Sequence, residues 1–311
     1  MSRYRKVFFQ IIVFIIFVGC QIGVTPDNTE KIDESKKKKY VLEKDMDYIY
    51  EKIKTPYKYG LVLISEKADN KVDSPTIFFY ENQWYMTYII YDSKVGYETW
   101  LAKSEDLIKW TTIGKIMSYT KYTWDSVQKA GYFSLVDYKW GGSYSPLKYD
   151  NKYWLSYLGG NTIGYEAGTL RIGIAFNNEP NSINGWTYLN SHVLSPSDHD
   201  TRWFENITIY KSTIIYDDLK LTGYPFVMYY NAKGDKVNPS DSSPERIGMA
   251  VSNDMINWKR YLDDPVIDNN VGISGDAYFA KIDDIFVMFY FGAFWGNIFP
   301  LTFIHLHVLM I

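Results

Sequence analysis

From about residue 70 onward, short apolar and aromatic runs alternate with polar turn clusters, the pattern of strands rather than helices. Asp73-Ser-Pro-Thr-Ile-Phe-Phe-Tyr, the turn Glu-Asn-Gln and Trp84-Tyr-Met-Thr-Tyr-Ile-Ile predict a hairpin. The same order returns as Tyr144-Ser-Pro-Leu-Lys-Tyr, Asp-Asn-Lys and Tyr153-Trp-Leu-Ser-Tyr. A third copy runs from Glu205-Asn-Ile-Thr-Ile-Tyr, through a longer insert, to Pro225-Phe-Val-Met-Tyr-Tyr. The fourth is Asp276-Ala-Tyr-Phe-Ala-Lys-Ile-Asp-Asp-Ile-Phe286-Val-Met-Phe-Tyr. Three third-strand segments follow: Thr99-Trp-Leu-Ala, Arg171-Ile-Gly-Ile-Ala and Arg246-Ile-Gly-Met-Ala-Val. Each leads to a tryptophan, in Ser104-Glu-Asp-Leu-Ile-Lys-Trp110, Asn184-Gly-Trp186 and Ser252-Asn-Asp-Met-Ile-Asn-Trp258. These tryptophans are 76 and 72 residues apart. Four antiparallel strands per repeat of this length make a β-propeller blade. The pattern predicts an all-β chain with three complete blades and half a fourth, each Trp wedged between blades.

The ends read differently. Arg3, Arg5 and Lys6 precede the apolar run Val7–Val18, broken only by Gln10. That run suits the core of a secretion signal and is short for a membrane span. Cys20 follows Phe17-Val18-Gly19, which resembles the bacterial lipobox, whose Cys becomes the lipidated first residue of the mature chain. Residues 1–20 are therefore expected to be a lipoprotein signal and 21–45, Lys-rich, a flexible tether. Gln21 rather than Asp fits an outer-membrane lipoprotein. The propeller domain is expected over 46–295. Residues 296–311, nearly all apolar, read as an aberrant tail on a truncated propeller.

Composition narrows the function. Aromatics make up 18% of the 311 residues, which suits half-buried sheet surfaces and the flat faces of sugar rings. Net charge is −3 with no basic stripe, which argues against nucleic acid. One Cys excludes a disulfide framework and a Cys-based zinc site, and the four His show no metal-ligand spacing. No metal or cofactor is expected.

Propeller geometry converts the repeat into a site. Strand 1 of each blade is innermost, so residues at its start ring the central funnel: Asp73, Tyr144, Glu205 and Asp276. Connections between strands 2 and 3 reach the same face, carrying Gly96-Tyr97-Glu98, Gly164-Tyr165-Glu166 and Pro244-Glu245-Arg246. Trp140, Trp203 and Trp295 are aromatic neighbours there, and Arg202 is a candidate contact for a substrate hydroxyl. Acidic residues in an aromatic funnel are what glycoside hydrolysis requires: one acid protonates the leaving oxygen and a second carboxylate activates water or attacks the anomeric carbon. A third carboxylate nearby raises the acid's pKa by like-charge repulsion. Asp73, Glu205 and Asp276 are thus candidate catalytic residues. Tyr97, Glu98, Trp140, Tyr144, Glu166, Arg202, Trp203 and Trp295 are candidate substrate contacts. A carbohydrate-binding lipoprotein without catalysis, or an inactive truncated product, fits the same pattern.

Val72-Asp73-Ser74-Pro75, the repeated Ser-x-Asp-Leu/Met-x-x-Trp and the acidic positions Glu205 and Asp276 resemble the five-bladed β-propeller glycoside hydrolases, most closely glycoside hydrolase family 43 and its relatives. The resemblance covers about residues 50–295. It implies five blades, Asp73 as the general base of an inverting enzyme, a pKa-modulating carboxylate on the third blade and the general acid on the fourth. Here those places hold Glu205 and Asp276, whereas the family usually has Asp on the third and Glu on the fourth. Which of the two is the acid stays open.

Overall fold

The computed structural model describes residues 43–234, 244–268, 272–294 and 301–309. Cys20 and the signal and tether segments before residue 43 lie outside the described residues, as does Trp295. The chain is nearly all β. The first blade comprises β1 (Lys71–Tyr80), β2 (Gln83–Tyr91), β3 (Tyr97–Ser104) and β4 (Thr111–Met117). The second comprises β5 (Gln128–Phe133), β6 (Tyr153–Gly160), β7 (Arg171–Asn177) and β8 (Thr187–Tyr188). The third has β9 (Thr208–Tyr216), β10 (Phe226–Lys233), β11 (Glu245–Ser252) and β12 (Trp258–Arg260). The fourth has β13 (Ile273–Ile282), β14 (Ile285–Phe294) and β15 (Leu301–Leu309). Within each blade the pairing is antiparallel. Single parallel contacts, Tyr97 with Gln128 and Glu245 with Ile273, join blades one to two and three to four. Among the described strands, no pairing closes blade four on blade one.

Two sequence expectations need correction here. The fourth blade does not stop at its hairpin, because β15 pairs with β14 from Phe286–Leu309 to Phe294–Leu301. A bare β14 edge would leave a row of backbone N–H and C=O groups unpaired, and the apolar tail supplies the missing strand. The inner strand of blade two is β5, not the Tyr144 segment, since Gln128–Phe133 pairs with Gly160–Leu155. Residues 137–149 are an excursion from that hairpin, which turns at Asp150 and Asn151, both at positive φ as a type I′ turn requires. The excursion ties blades together on the face away from the funnel. Phe79 N donates to Tyr144 O (2.8 Å), Trp140 N to Lys281 O (2.8 Å) and Lys281 N to Tyr138 O (2.9 Å).

The repeated tryptophan motif folds locally. In both Ser-x-Asp copies the serine Oγ accepts the amide of the Asp (3.2 and 3.1 Å), and the Asp Oδ1 accepts the amides two and three residues on. This side-chain capping lets Leu107 and Met255 take positive φ. The indole Nε1 of Trp110 and Trp258 then donates to the carbonyl of Leu107 and Met255, both at 2.9 Å. Trp186 is buried in a cluster shared by blades one and two, and Trp258 packs against one shared by blades two and three. Ahead of the blades, α1 (Glu43–Ile53) buries Ile49 on Ala280, Ile282 and Val287 of blade four.

Candidate active site

Three inner strands carry a one-residue bulge at the same end. In β1 the register slips between Asp73, opposite Ile89, and Thr76, opposite Thr87. In β9 Lys211 is the extra residue between Tyr210 and Ser212. In β13 the slip falls between Gly275 and Tyr278. Ser74, Lys211 and Asp276 sit at these bulges with φ of 49°, 23° and 61°. A bulge bends the strand and re-aims side chains, and left-handed backbone at non-glycine residues is a strain that functional sites retain. Gly275 is required beside Asp276: a Cβ there would lie 2.5 Å from Glu245 Oε1 and 2.6 Å from Asn231 Nδ2.

The bulges frame a cavity of about 250 Å³. Four carboxylates line it, Asp73, Glu166, Glu245 and Asp276, with two ammonium groups, Lys211 and Lys233, and four tyrosines, Tyr97, Tyr132, Tyr165 and Tyr210. A polar chain runs round its wall. Lys211 Nζ reaches Ser74 Oγ (3.1 Å) and Asp276 Oδ2 (2.8 Å). Asn231 Nδ2 donates to Asp276 Oδ1 and to Glu245 Oε1, both at 3.0 Å. Lys233 Nζ lies 3.6 Å from Glu245 Oε2 and 3.4 Å from Glu166 Oε2.

The two glutamates differ in exposure. The Glu245 side chain is 7% exposed and that of Glu166 23%. Burial pushes the Glu245 carboxyl up from 4.5 to about 7, against the opposing pull of Lys233. Burial raises Glu166 as well, again opposed by Lys233. Glu166 sits at φ 45° in the connection from β6 to β7, between Gly164 and Gly168, both also at positive φ. Gln128 Nε2 locks that loop by donating to Thr162 O (2.8 Å) and Gly164 O (2.6 Å). On the same loop Tyr165 is half exposed at the rim, set edge-on to Tyr91 and Tyr97.

Of the residues singled out from sequence, Asp73, Asp276, Tyr97 and Glu166 line this cavity. Glu205 does not. It is fully buried, accepts from Tyr230 Oη (2.5 Å) and Arg202 N (2.9 Å), and pairs with Arg260 Nε. The third inner strand begins only at Thr208, so the match of Glu205 to Asp73 is out of register, and Lys211 occupies the bulge instead. Glu98 also departs from expectation: it pairs with Lys115 (2.9 Å) in a separate side cavity of blade one. Successive strand residues face opposite ways, so with Tyr97 facing the funnel Glu98 faces away. Tyr144 packs on Trp84, and Trp140 meets the β13–β14 hairpin, both at the far end of the blades. Trp203 lies under the Arg246 guanidinium (4.8 Å) and donates to Asp264, while Arg202 pairs with Asp263; neither lines the cavity. Glu245, Lys211, Lys233 and Asn231 were missed as site residues. The signal for Glu245 was its place at the start of a third strand, equivalent to Tyr97. Nothing in the local sequence marks the lysines. Among the described residues, no group of three or more His, Cys, Asp or Glu is arranged to hold a metal ion.

No protein-family model and no curated protein matches the chain. Solved structures do. One described as "Glycoside hydrolase" is 40% identical, with a TM-score of 0.80 over 86% of this chain and 78% of its own. A complex of BT0996 with RGII matches with the same identity, coverage and TM-score. A family 117 glycoside hydrolase of the marine bacterium Zobellia galactanivorans shares the fold at 16% identity, with a TM-score of 0.54 over 76% of this chain and 69% of its own.

Proposed function

This chain belongs to the glycoside hydrolases, and on that premise we propose that Glu245 and Glu166 are the working pair of its funnel. The observation that carries this is their shared contact with Lys233 inside the cavity. Glu245, the more buried, holds a proton near neutral pH and is suited to give it to the glycosidic oxygen. Glu166, more open and closer to the ammonium, is suited to act as the carboxylate. Their oxygens lie 3.4 and 3.6 Å from one nitrogen, so they are at most 7.0 Å apart, the sum of the two. A tetrahedral spread about the ammonium puts them roughly 5.7 Å apart. That is nearer the ~5–5.5 Å of retaining glycosidases than the ~6.5–9.5 Å of inverting ones.

The proposed reaction is a double displacement. Glu166 attacks the anomeric carbon, the glycosidic C–O bond breaks, and the Glu245 proton passes to the leaving oxygen. Glu245, now ionised, takes a proton from water, which attacks the same carbon and frees Glu166. A cavity of about 250 Å³ falls below the ~300–1,000 Å³ of sites for drug-sized ligands, so it suits one terminal sugar rather than a stretch of polymer. The similarity to a complex of BT0996 with RGII supports an RGII oligosaccharide as substrate.

The test is sugar release from RGII oligosaccharides, followed chromatographically, with proton NMR reading the anomer formed first. Glu245→Gln and Glu166→Gln should each lose on the order of 10²–10⁴ in turnover. Full turnover in both variants would remove this assignment. A first-formed anomer of inverted configuration would favour Asp73 as base, the role the family 43 resemblance implies. On sequence grounds alone we also propose lipid attachment at Cys20 and an outer-membrane location. Metabolic labelling with a radioactive fatty acid should mark the protein, and Cys20→Ala should abolish the label.

A further inference from the structure

We propose that Lys211 is a positioning residue for this reaction, holding the carboxylate of Asp276 at the funnel wall by clamping it toward Ser74 of blade one. The proposal rests on the reading of the funnel as the hydrolytic site. It draws on three observations. The lysine is delivered by a bulge in β9, at a φ of 23° that a regular strand would not need. Its ammonium meets the bulge residues of two other blades, Ser74 Oγ at 3.1 Å and Asp276 Oδ2 at 2.8 Å. Asp276 in turn shares Asn231 with Glu245.

Blades one and four have no strand pairing between them among the described residues. At the funnel, therefore, the polar link between them runs through the lysine of blade three. Each end of the link is itself at positive φ, so neither carboxylate nor hydroxyl is held by a regular ladder. The Lys211 stem passes beside the Tyr132 ring, with Nζ 5.8 Å from its centroid, and that ring limits where the ammonium can go. With Lys211 gone, the Asp276 carboxylate is free to turn to water, because its side chain is already 41% exposed. The same exposure means that the loss should not unfold the chain.

Misplacing a group at a reacting centre by about 1 Å can lower the rate ~10²-fold. Lys211→Met should therefore lower kcat about 10- to 100-fold on RGII oligosaccharides with KM changed less than about twofold. Lys211→Arg, which keeps a cation at the bulge, should recover most of that loss. Crystal structures of wild type and Lys211→Met give a second readout that needs no substrate. In the variant the Asp276 carboxylate should leave its wild-type position and its contact with Asn231. An unmoved Asp276 would overturn the proposal, as would a kcat equal to wild type in an active enzyme. If the wild type releases no sugar, the hydrolytic reading fails, and the crystal structures still decide whether Lys211 positions Asp276.

Discussion

Replacing Glu245 with Gln should make the protein more stable in mild alkali while removing its activity. Glu245 holds its proton up to about pH 7 in the folded chain, against 4.5 for an ordinary Glu. Below about pH 4.5 both folded and unfolded states are protonated, and the group does not penalise folding. Between 4.5 and 7 the unfolded chain releases the proton first, so stability falls as pH rises. Above 7 both states are ionised and the full penalty is present. A difference of about 2.5 pKa units at 1.36 kcal/mol each is about 3 kcal/mol. Its cause is the 7% exposure of the side chain, which the single lysine nearby does not offset. Gln keeps the shape and an acceptor for Asn231 but never ionises. Urea unfolding of wild type and Glu245→Gln at pH 5 and pH 8 measures the effect. The two should differ by under about 1 kcal/mol at pH 5, and the variant should lead by up to about 3 kcal/mol at pH 8. Taking the difference isolates Glu245 from Glu166, which burial also raises. A difference that is the same at both pH values would refute the reasoning.

Other outcomes follow from the same geometry. Activity of the wild type should decline as pH rises through about 7, and Lys233→Met should move that limb upward, because Lys233 favours the ionised form of Glu245; a pH–rate profile decides. Glu205→Gln should destabilise the fold by roughly 3–5 kcal/mol in urea unfolding, since it leaves the buried Arg260 short of a counter-charge. A stable but inactive Glu205→Gln would instead return Glu205 to the funnel. Gly173→Ala and Gly248→Ala should each lose about 1–3 kcal/mol by thermal or urea unfolding. Their new Cβ atoms would fall 2.3 and 2.6 Å from the rings of Tyr157 and Tyr230.

Much of the propeller was legible because its determinants are local and repeated. Hairpin alternation, turn residues and the Ser-x-Asp-Leu/Met-x-x-Trp motif recur at blade spacing, and the motif's capping bonds all fall within six residues. The wedge position of Trp186 and Trp258 follows from that repetition. Register was harder. The Ser-Pro that follows both Asp73 and Tyr144 suggested equivalent strand starts, yet the second segment is an excursion and β5 lies upstream. Glu205 suffered the same slip, because a bulge of one residue changes which side chain reaches the funnel while leaving the apolar pattern intact.

The sequence by itself determined the blade architecture, the aromatic character of the sheets and the presence of Asp73, Glu166 and Asp276 on the funnel side. Periodicity and strand direction are properties of short segments, and short segments can be read one at a time. Only the tertiary structure decided that Glu166, Glu245 and Lys233 meet, that Lys211 reaches from blade three to Ser74 and Asp276, and that Glu205 is locked beneath Arg260. Those relations join residues 67, 137 and 55 positions apart. They depend on where each bulge falls and on which carboxylate is denied water. Burial is set by the packed blades together, and it separates an acid that holds its proton to about pH 7 from a glutamate that only braces the fold.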